Sequence, residues 1–270
     1  MRKLVFVLSA FLLLLASIPA THASAETGKA AGWLDAKKVS QGIAAISYEV
    51  NAKVKTKLMI AKGKESYTYN LTPGSKTEQF PLQLGNGEYK ITILENVSGK
   101  SYKAVAQETV KLNLKDDKVV YLNSVQNINW SSTSNAIVKA QELTKNKKTD
   151  EDKIKAVYEY ITTNIAYDDK LAKTATADYL PIIDRTLKTK KDICYGYASL
   201  FAAMLRSLNI PTKMAMGYTD YIDQYHAWNE VYVNGKWMTI DTTLDASLKK
   251  AKKKTVMYRD AAKYTKSKQY

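Results

Sequence analysis

The 270-residue sequence is poor in the residues that bind metals or form crosslinks, with one cysteine, Cys194, and two histidines, His22 and His226. A single thiol excludes a disulfide within the chain. Neither the Cys and His spacing of a zinc site nor a glycine-rich loop for a phosphate group is present. The sequence therefore predicts no metal and no cofactor, and the chemistry has to come from ordinary side chains.

Long apolar runs are also scarce, and the chain has one notable example near its start, from Leu4 to about Ile18. It follows Arg2 and Lys3 and precedes Ala23-Ser24-Ala25. A basic start, a short apolar run and small residues are typical of a secretory signal peptide, and the run is short for a membrane span. We therefore expect a signal peptide over residues 1–25 and a secreted or cell-wall-associated protein.

Acidic residues are outnumbered, since 26 Asp and Glu face 41 Lys and Arg, which gives a formal net charge of +15. Such a charge predicts anionic surroundings. No nucleic-acid-binding motif is present, and export argues against nucleic acid as a partner. An anionic wall polymer or membrane surface is the better interpretation.

Residues 32–127 carry short alternating apolar runs separated by turn residues, a spacing typical of a small all-β sandwich. The runs are Ile43 to Val50, Lys57 to Ala61, Tyr67 to Leu71, Glu78 to Leu84, Tyr89 to Leu94 and Val105 to Leu114. No catalytic constellation is evident there. We interpret this region as a scaffold or adhesion module, with a ligand-binding domain as the alternative.

A second domain is predicted at residues 149–245, where Thr149 and Asp152 form a capping box ahead of a helix. Residues 128–148 are interpreted as a polar linker between the domains. Residues 246–270 carry nine Lys or Arg against one acid. They are interpreted as a basic C-terminal tail, either solvated or in contact with wall polymer or lipid headgroups.

Cys194 begins the most informative stretch of this second domain. Apolar residues recur after it at helical spacing, at Tyr197, Ala198, Phe201, Met204, Leu205 and Leu208. A helix is therefore predicted to begin at Cys194. The unpaired N–H groups and the positive end of a helix favour a thiolate there, which makes Cys194 a candidate nucleophile.

Asn234-Gly235 lies between two alternating runs and predicts a two-residue hairpin turn of type I′. Counting outward from this turn pairs Val233 with Lys236, Tyr232 with Trp237, Glu230 with Thr239, Trp228 with Asp241, and His226 with Thr243. His226 and Asp241 then become diagonal neighbours on one face, with Cα atoms roughly 7–8 Å apart or less. The two side chains are predicted to meet.

A thiol, an imidazole and a carboxylate in this arrangement meet the requirements of nucleophilic acyl transfer. His226 would take the thiol proton and return it to the leaving amine. Asp241 would orient the imidazole, and the backbone N–H of Cys194 would stabilise an oxyanion.

The segments ICYGYASLFAAMLRSLNIPTKMAMGY, YHAWNEVYVNGKW and IDTTLD resemble the transglutaminase-like superfamily. The resemblance covers roughly Thr149 to Asp245. It implies an α+β fold, with a transglutaminase-like (papain-like) cysteine-enzyme core preceded by the small β-sandwich-like domain. By the same resemblance Cys194, His226 and Asp241 match the triad, whereas Asp192 departs from the pattern because such sequences often have Gly there.

Three aromatic residues are candidates for substrate binding. Tyr167 resembles an aromatic position that follows the first core helix in the family, and Trp228 and Trp237 are predicted to share the catalytic face of the hairpin. The alternative for each is a packing role, which is common for large aromatic side chains.

Three classes of function remain open from the sequence. The first is acyl transfer, in which a glutamine side-chain or peptide amide forms a thioester at Cys194 and an amine then attacks this thioester. The second is hydrolysis by a cysteine peptidase or amidase, in which water attacks the same thioester. The third is a non-catalytic module that binds the cell envelope. For the enzyme classes, the expected partner is a protein or peptide substrate.

Overall fold

The computed structural model describes residues 32–270, so the predicted signal peptide lies outside the described residues. Two small sheets come first in the described chain, and a mixed helical and sheet unit follows them. None of the helices between residues 32 and 270 is both long and apolar enough to cross a membrane.

The first unit contains a three-stranded and a four-stranded antiparallel sheet. The smaller sheet consists of β1 (Leu34–Asp35), β2 (Ile43–Ile46) and β5 (Glu78–Pro81), which lie side by side in the order β1-β2-β5. The larger sheet consists of β3 (Thr56–Lys62), β4 (Glu65–Asn70), β6 (Gly87–Ser98) and β7 (Ser101–Leu112), which lie in the order β4-β3-β6-β7. Each of the six predicted runs contributes to a strand.

Period-two burial explains how these strands make a core. Leu58 and Ile60 of β3 are buried, while Met59 between them is partly exposed. Ile91 and Ile93 of β6 are paired with them across the strands and are fully buried. Fully burying such a side chain contributes roughly 1.5–3 kcal/mol. This alternation is the physical basis of the predicted β unit.

Six helices and two further sheets form the second unit. The helices are α1 (Asn135–Thr144), α2 (Asp150–Asn164), α3 (Asp169–Thr174), α4 (Ile183–Thr189), α5 (Cys194–Ser207) and α6 (Thr242–Lys250). β8 (Ala166–Tyr167) pairs in parallel with β9 (Lys191–Asp192). A four-stranded sheet has the order β12-β11-β10-β13, with β10 (Thr212–Thr219), β11 (Ile222–Val233), β12 (Lys236–Ile240) and β13 (Tyr264–Gln269).

Helix α5 is the centre of this unit. It packs against β10 and β11 on the sheet and against α1, α2, α4 and α6. Every residue from Gly196 to Arg206 is buried. A helix that is apolar on all sides is expected in the interior of a mixed domain, so the nucleophile candidate lies at the end of a fixed element. The predicted α+β fold class is therefore confirmed.

The β11–β12 hairpin has the predicted register close to its turn. Val233 pairs with Lys236 and Glu230 pairs with Thr239. Asn234 and Gly235 have φ values of 51° and 79°, the two positive values that a type I′ turn requires. The register prediction is confirmed as far as Ile240, where β12 ends.

Two segments differ from their predicted character. The proposed linker, 128–148, contains helix α1, which buries Ala136, Ile137 and Ala140 against its neighbours. The proposed tail contains α6 and β13, and β13 pairs with β10 along the sheet. Neither segment is a solvated connection, because both bury surface in the second unit.

Candidate active site

Cys194 is the first residue of α5, as predicted. Ile193 precedes it in extended conformation, and β9 leads directly into the helix. The N–H groups of a first helical turn have no acceptor within the helix. The Cys194 thiol therefore lies beside free backbone donors and the positive end of α5, whose residues from Gly196 to Arg206 are all buried.

His226 lies on β11 and is 3% exposed, and Asp241 is fully buried. The His226 Nε2 and Asp241 Oδ2 atoms are 2.8 Å apart. The other carboxylate oxygen, Oδ1, accepts a hydrogen bond from the backbone N–H of Leu244 at 2.9 Å. The structure thus brings the predicted imidazole and carboxylate into direct contact.

The route by which Asp241 reaches His226 differs from the prediction. Asp241 is the N-cap of α6 and not a residue of β12. The expected pairs of Trp228 with Asp241 and of His226 with Thr243 do not form, because Thr243 belongs to α6. A side-chain cap at a helix start is typical for Asp, and here it also fixes the carboxylate that faces His226.

Burial lowers the pKa of His226, but hydrogen bonds and charges from Asp241 and Cys194 outweigh it and raise the value from 6.5 to about 10. Since Nε2 is held by Asp241, Nδ1 is the nitrogen available to the Cys194 sulfur. The arrangement favours the protonated imidazolium form of His226 at neutral pH.

Tyr167 lies near the thiol. Its Cα pairs with that of Asp192 in the β8–β9 ladder, two residues before Cys194, and the side chain is 40% exposed. Burial and then the charge of Cys194 raise the pKa of Tyr167. Its position suits a residue that borders the entrance to the thiol.

The two tryptophans have packing positions. Trp228 is 1% exposed and lies between the His226 ring and the Tyr264 ring, with centroids 6.4 and 5.0 Å away. Trp237 contacts Tyr121 and Tyr232, four residues and roughly 13 Å along the chain from Asp241. Both tryptophans lie on the hairpin face that carries His226, as the register predicts, and each packs there against other aromatic rings.

Tyr264 is a site residue that the sequence did not indicate. Its hydroxyl donates to Asp241 Oδ2 at 3.1 Å, so this oxygen receives both His226 and Tyr264. Tyr264 begins β13, in the segment interpreted as a tail. The sequence of β13 shows no alternation of apolar and polar residues, because most of the strand is exposed.

Asp192, two residues before Cys194, is fully buried and heavily hydrogen-bonded. Its carboxylate accepts from Tyr179 Oη at 2.6 Å, Thr186 Oγ1 at 2.5 Å and the Ile193 backbone N–H at 2.8 Å. A Cβ atom on Gly196 would overlap this carboxylate. Gly196, in the first turn of α5, therefore leaves the space that the carboxylate of Asp192 occupies. The chain thus accommodates an aspartate where the family pattern often has Gly.

Asp245, four residues beyond Asp241, is also fully buried and pairs with Arg259. Burial raises the pKa of Asp245, while Arg259 opposes that shift. It therefore has a structural partner of its own. Among residues 32–270, no group of three His, Cys, Asp or Glu side chains is placed to hold a metal ion.

Comparison with known proteins adds an independent observation. The family model of the transglutaminase-like superfamily matches residues 138–242. Human kyphoscoliosis peptidase is 30% identical over 110 residues, which is 37% of this chain and 16% of that protein. The chain thus spans about a sixth of the length of this curated relative.

Two solved structures that are similar to this chain superpose on it with TM-scores below 0.5. A candidate cysteine protease from Cytophaga hutchinsonii is 17% identical with a TM-score of 0.43, covering 74% of this chain and 75% of the other. The periplasmic domain of TgpA from Pseudomonas aeruginosa is 13% identical with a TM-score of 0.40, covering 74% and 91%. The segment 138–242, which holds Cys194, His226 and Asp241, is thus the part of this chain that is similar to the transglutaminase-like superfamily.

Proposed function

We propose that the protein is a cysteine-dependent acyl-transfer enzyme that acts on glutamine side-chain or peptide amides through a thioester at Cys194. The observation that carries this proposal is the placement of Cys194 at the start of α5 beside His226, whose Nε2 is held 2.8 Å from Asp241. The family match over residues 138–242 supports it.

In the proposed first step, the Cys194 sulfur attacks the amide carbonyl carbon and a C–S bond forms. The resulting oxyanion is stabilised by the backbone N–H groups of the first turn of α5. His226 then donates its proton to the nitrogen, the C–N bond breaks and the amine leaves. An acceptor attacks the thioester, His226 takes the acceptor's proton, and the C–S bond breaks to restore the thiolate.

The acceptor decides between transfer and hydrolysis. An amine, such as a lysine side chain, would give transglutaminase-like crosslinking. Water would give a peptidase or amidase, an alternative that the name of the human relative supports.

We also propose that the protein is exported and meets its protein or peptide substrate in the cell envelope. The predicted signal peptide and the net charge of +15 support this proposal. Wall polymer or an anionic membrane surface would hold the enzyme near its substrate through that charge. A non-catalytic envelope-binding module is the alternative.

Mass spectrometry with glutaminyl peptides, in the presence and absence of a primary amine, tests the proposal. An amine adduct indicates transfer, and a deamidated or cleaved peptide indicates hydrolysis. Cys194→Ala should abolish either product. If the unmodified protein forms none of these products with any peptide tested and no thioester is trapped, the enzyme proposal fails and the binding-module alternative gains support.

A further inference from the structure

A cleft of about 220 Å³ lies between the β unit and the second unit. We call it the tyrosine cleft, because its walls include Tyr69 of β4, Tyr179, Tyr195, Tyr225 and Tyr270. Cys194, His226 and Asp241 do not line it. Tyr195 follows Cys194 and Tyr225 precedes His226, so the tyrosine cleft adjoins the candidate active site.

The aromatic walls are neutral at physiological pH. Burial is the main cause that raises the pKa of each of the five tyrosines, with Tyr195 reaching about 12. Each phenol therefore keeps its O–H group. Tyr225 is 47% exposed and presents an accessible ring beside the more buried tyrosines.

Planar amides supply the polar part of the walls. Asn127 is 6% exposed and donates through Nδ2 to Tyr195 Oη at 2.5 Å. Its Oδ1 atom has no hydrogen-bond partner among the described residues. A buried carbonyl oxygen without a partner is uncommon and invites a donor from a ligand.

Other polar groups of the lining are held in place by hydrogen bonds to one another. Asn70 of β4 donates to Asp178 Oδ1 at 2.6 Å, and Gln126 Nε2 donates to the Asn70 carbonyl at 2.7 Å. These contacts fix the polar groups before any ligand arrives. A preformed wall lowers the entropy cost of binding.

Charge and size restrict the ligand. Of the described residues that line the tyrosine cleft, Asp178 is acidic and Lys268 is basic, so the lining is neutral in a strongly basic chain. An anionic polymer would find one cation there. The volume is below the roughly 300–1,000 Å³ of sites for drug-sized ligands, which suits a single small unit.

We propose that the tyrosine cleft binds one unit of a neutral saccharide. A sugar ring has an apolar C–H face that packs on the electron-rich face of a tyrosine, and its hydroxyls both donate to and accept from planar amides. An apolar peptide side chain would leave Asn127 Oδ1 without a donor. Aromatic faces, amides and a neutral lining together match a sugar better than a peptide or a polyanion.

Calorimetric titration of the full chain with chitotetraose, cellotetraose and maltotetraose tests this inference. At least one tetrasaccharide should bind, and Tyr225→Ala should weaken it about tenfold by removing the exposed ring. Tyr102→Ala on β7, outside the tyrosine cleft, is the matched control and should leave affinity unchanged. Asp178→Asn should weaken binding without unfolding the chain, because Asp178 is exposed.

The titration is repeated with Cys194→Ala, which should bind the saccharide as the unmodified chain does. Saccharide binding is thereby separated from the proposed acyl transfer, and either proposal can fail alone. The inference is overturned if no tetrasaccharide binds, or if binding is insensitive to both Tyr225→Ala and Asp178→Asn. The inference is also overturned if a glutaminyl tetrapeptide or heparin binds, if Tyr225→Ala weakens that binding, and if none of the tetrasaccharides binds.

Discussion

The carboxylate of Asp241 is held by His226, Tyr264 and the backbone N–H of Leu244. Asp241→Asn should lower turnover about 10³–10⁴-fold, because an amide holds the imidazole in the wrong tautomer and does not stabilise its charge. The fold should persist, since Asn is also a good N-cap. Turnover of a glutaminyl peptide and thermal unfolding measure both effects.

Asp223→Asn is the matched control, because Asp223 is exposed on β11 and lies three residues before His226. Its turnover should equal that of the unmodified chain. Asp245→Asn is a poor control, since it would disturb the buried pair with Arg259. Near-normal turnover in Asp241→Asn would remove Asp241 from the proposed mechanism.

Tyr264→Phe isolates one hydrogen bond at the same carboxylate. The ring that packs on Trp228 is kept, and the hydroxyl that donates to Asp241 Oδ2 is lost. A hydrogen bond to a charged group contributes about 1.5–3 kcal/mol, so kcat should fall about tenfold or more while KM changes little. Tyr258→Phe, which loses a hydroxyl bonded to Glu151, should leave kcat unchanged.

The raised pKa of His226 predicts how stability depends on pH. Because the value is about 10 in the folded chain and near 6.5 in the unfolded chain, the stabilising contribution is complete below about pH 6.5. It is lost as the pH rises towards 10. Between about pH 6 and pH 9.5, the unfolding free energy should fall at least about 1 kcal/mol more than that of His226→Gln. Urea unfolding at each pH measures both proteins. If the unfolding free energies of the unmodified chain and of His226→Gln fell equally with pH, the raised pKa of His226 would be contradicted.

At the level of elements, the start of α5 depends on Asp192 and Gly196 fitting together. Gly196→Ala should destabilise the chain by about 1–3 kcal/mol, because the new Cβ overlaps the Asp192 carboxylate. The overlapping atoms are the ones that Asp192→Ala removes. Gly196→Ala should therefore cost less in an Asp192→Ala background, as urea unfolding of the four proteins would show. Additive costs would disprove the steric coupling.

The sequence predicted the elements around Cys194 and the Asn234-Gly235 turn because both signals are local: helical periodicity and paired positive φ values. It placed Asp241 on a strand because alternation continues to Ile240, where a helix cap takes over. The Asp192 contacts come from Tyr179 and Thr186, in a loop and in α4, and no local pattern connects them. Local patterns predict elements, whereas side-chain networks depend on packing.

On the scale of the whole molecule, Arg206 links three parts of the chain. It is 2% exposed and donates to the carbonyl oxygens of Thr212, Asn123 and Tyr270. Arg206→Met should destabilise the folded state by about 3–5 kcal/mol, because buried carbonyls lose their donors. Lys139→Met, which loses an exposed ion pair with Glu142 in α1, is the control and should leave the urea midpoint nearly unchanged. A small loss in Arg206→Met would show that these contacts contribute little.

The β unit and the class of the second unit were predictable because both depend on burial patterns along one element. The C-terminal segment was not, because β13 joins the sheet through backbone pairs with β10 and buries few apolar side chains. The lysine-rich composition of this segment predicted a solvated tail, whereas the segment forms the edge strand β13 of the sheet. The domain boundaries stay a prediction, since tight contacts cross between the units at Asn70 and Asp178.

The hydrogen bond from Tyr264 to Asp241 gives the chain a built-in order of assembly. Tyr264 follows Asp241 by 23 positions, and β13 is made after every other strand described. Until β13 pairs with β10, a folding chain would lack the Tyr264 hydroxyl at Asp241 even where its thiol, imidazole and carboxylate are already in place. A cysteine whose orienting carboxylate is still loosely held would be a poor nucleophile, so full reactivity would depend on the closure of the sheet by β13.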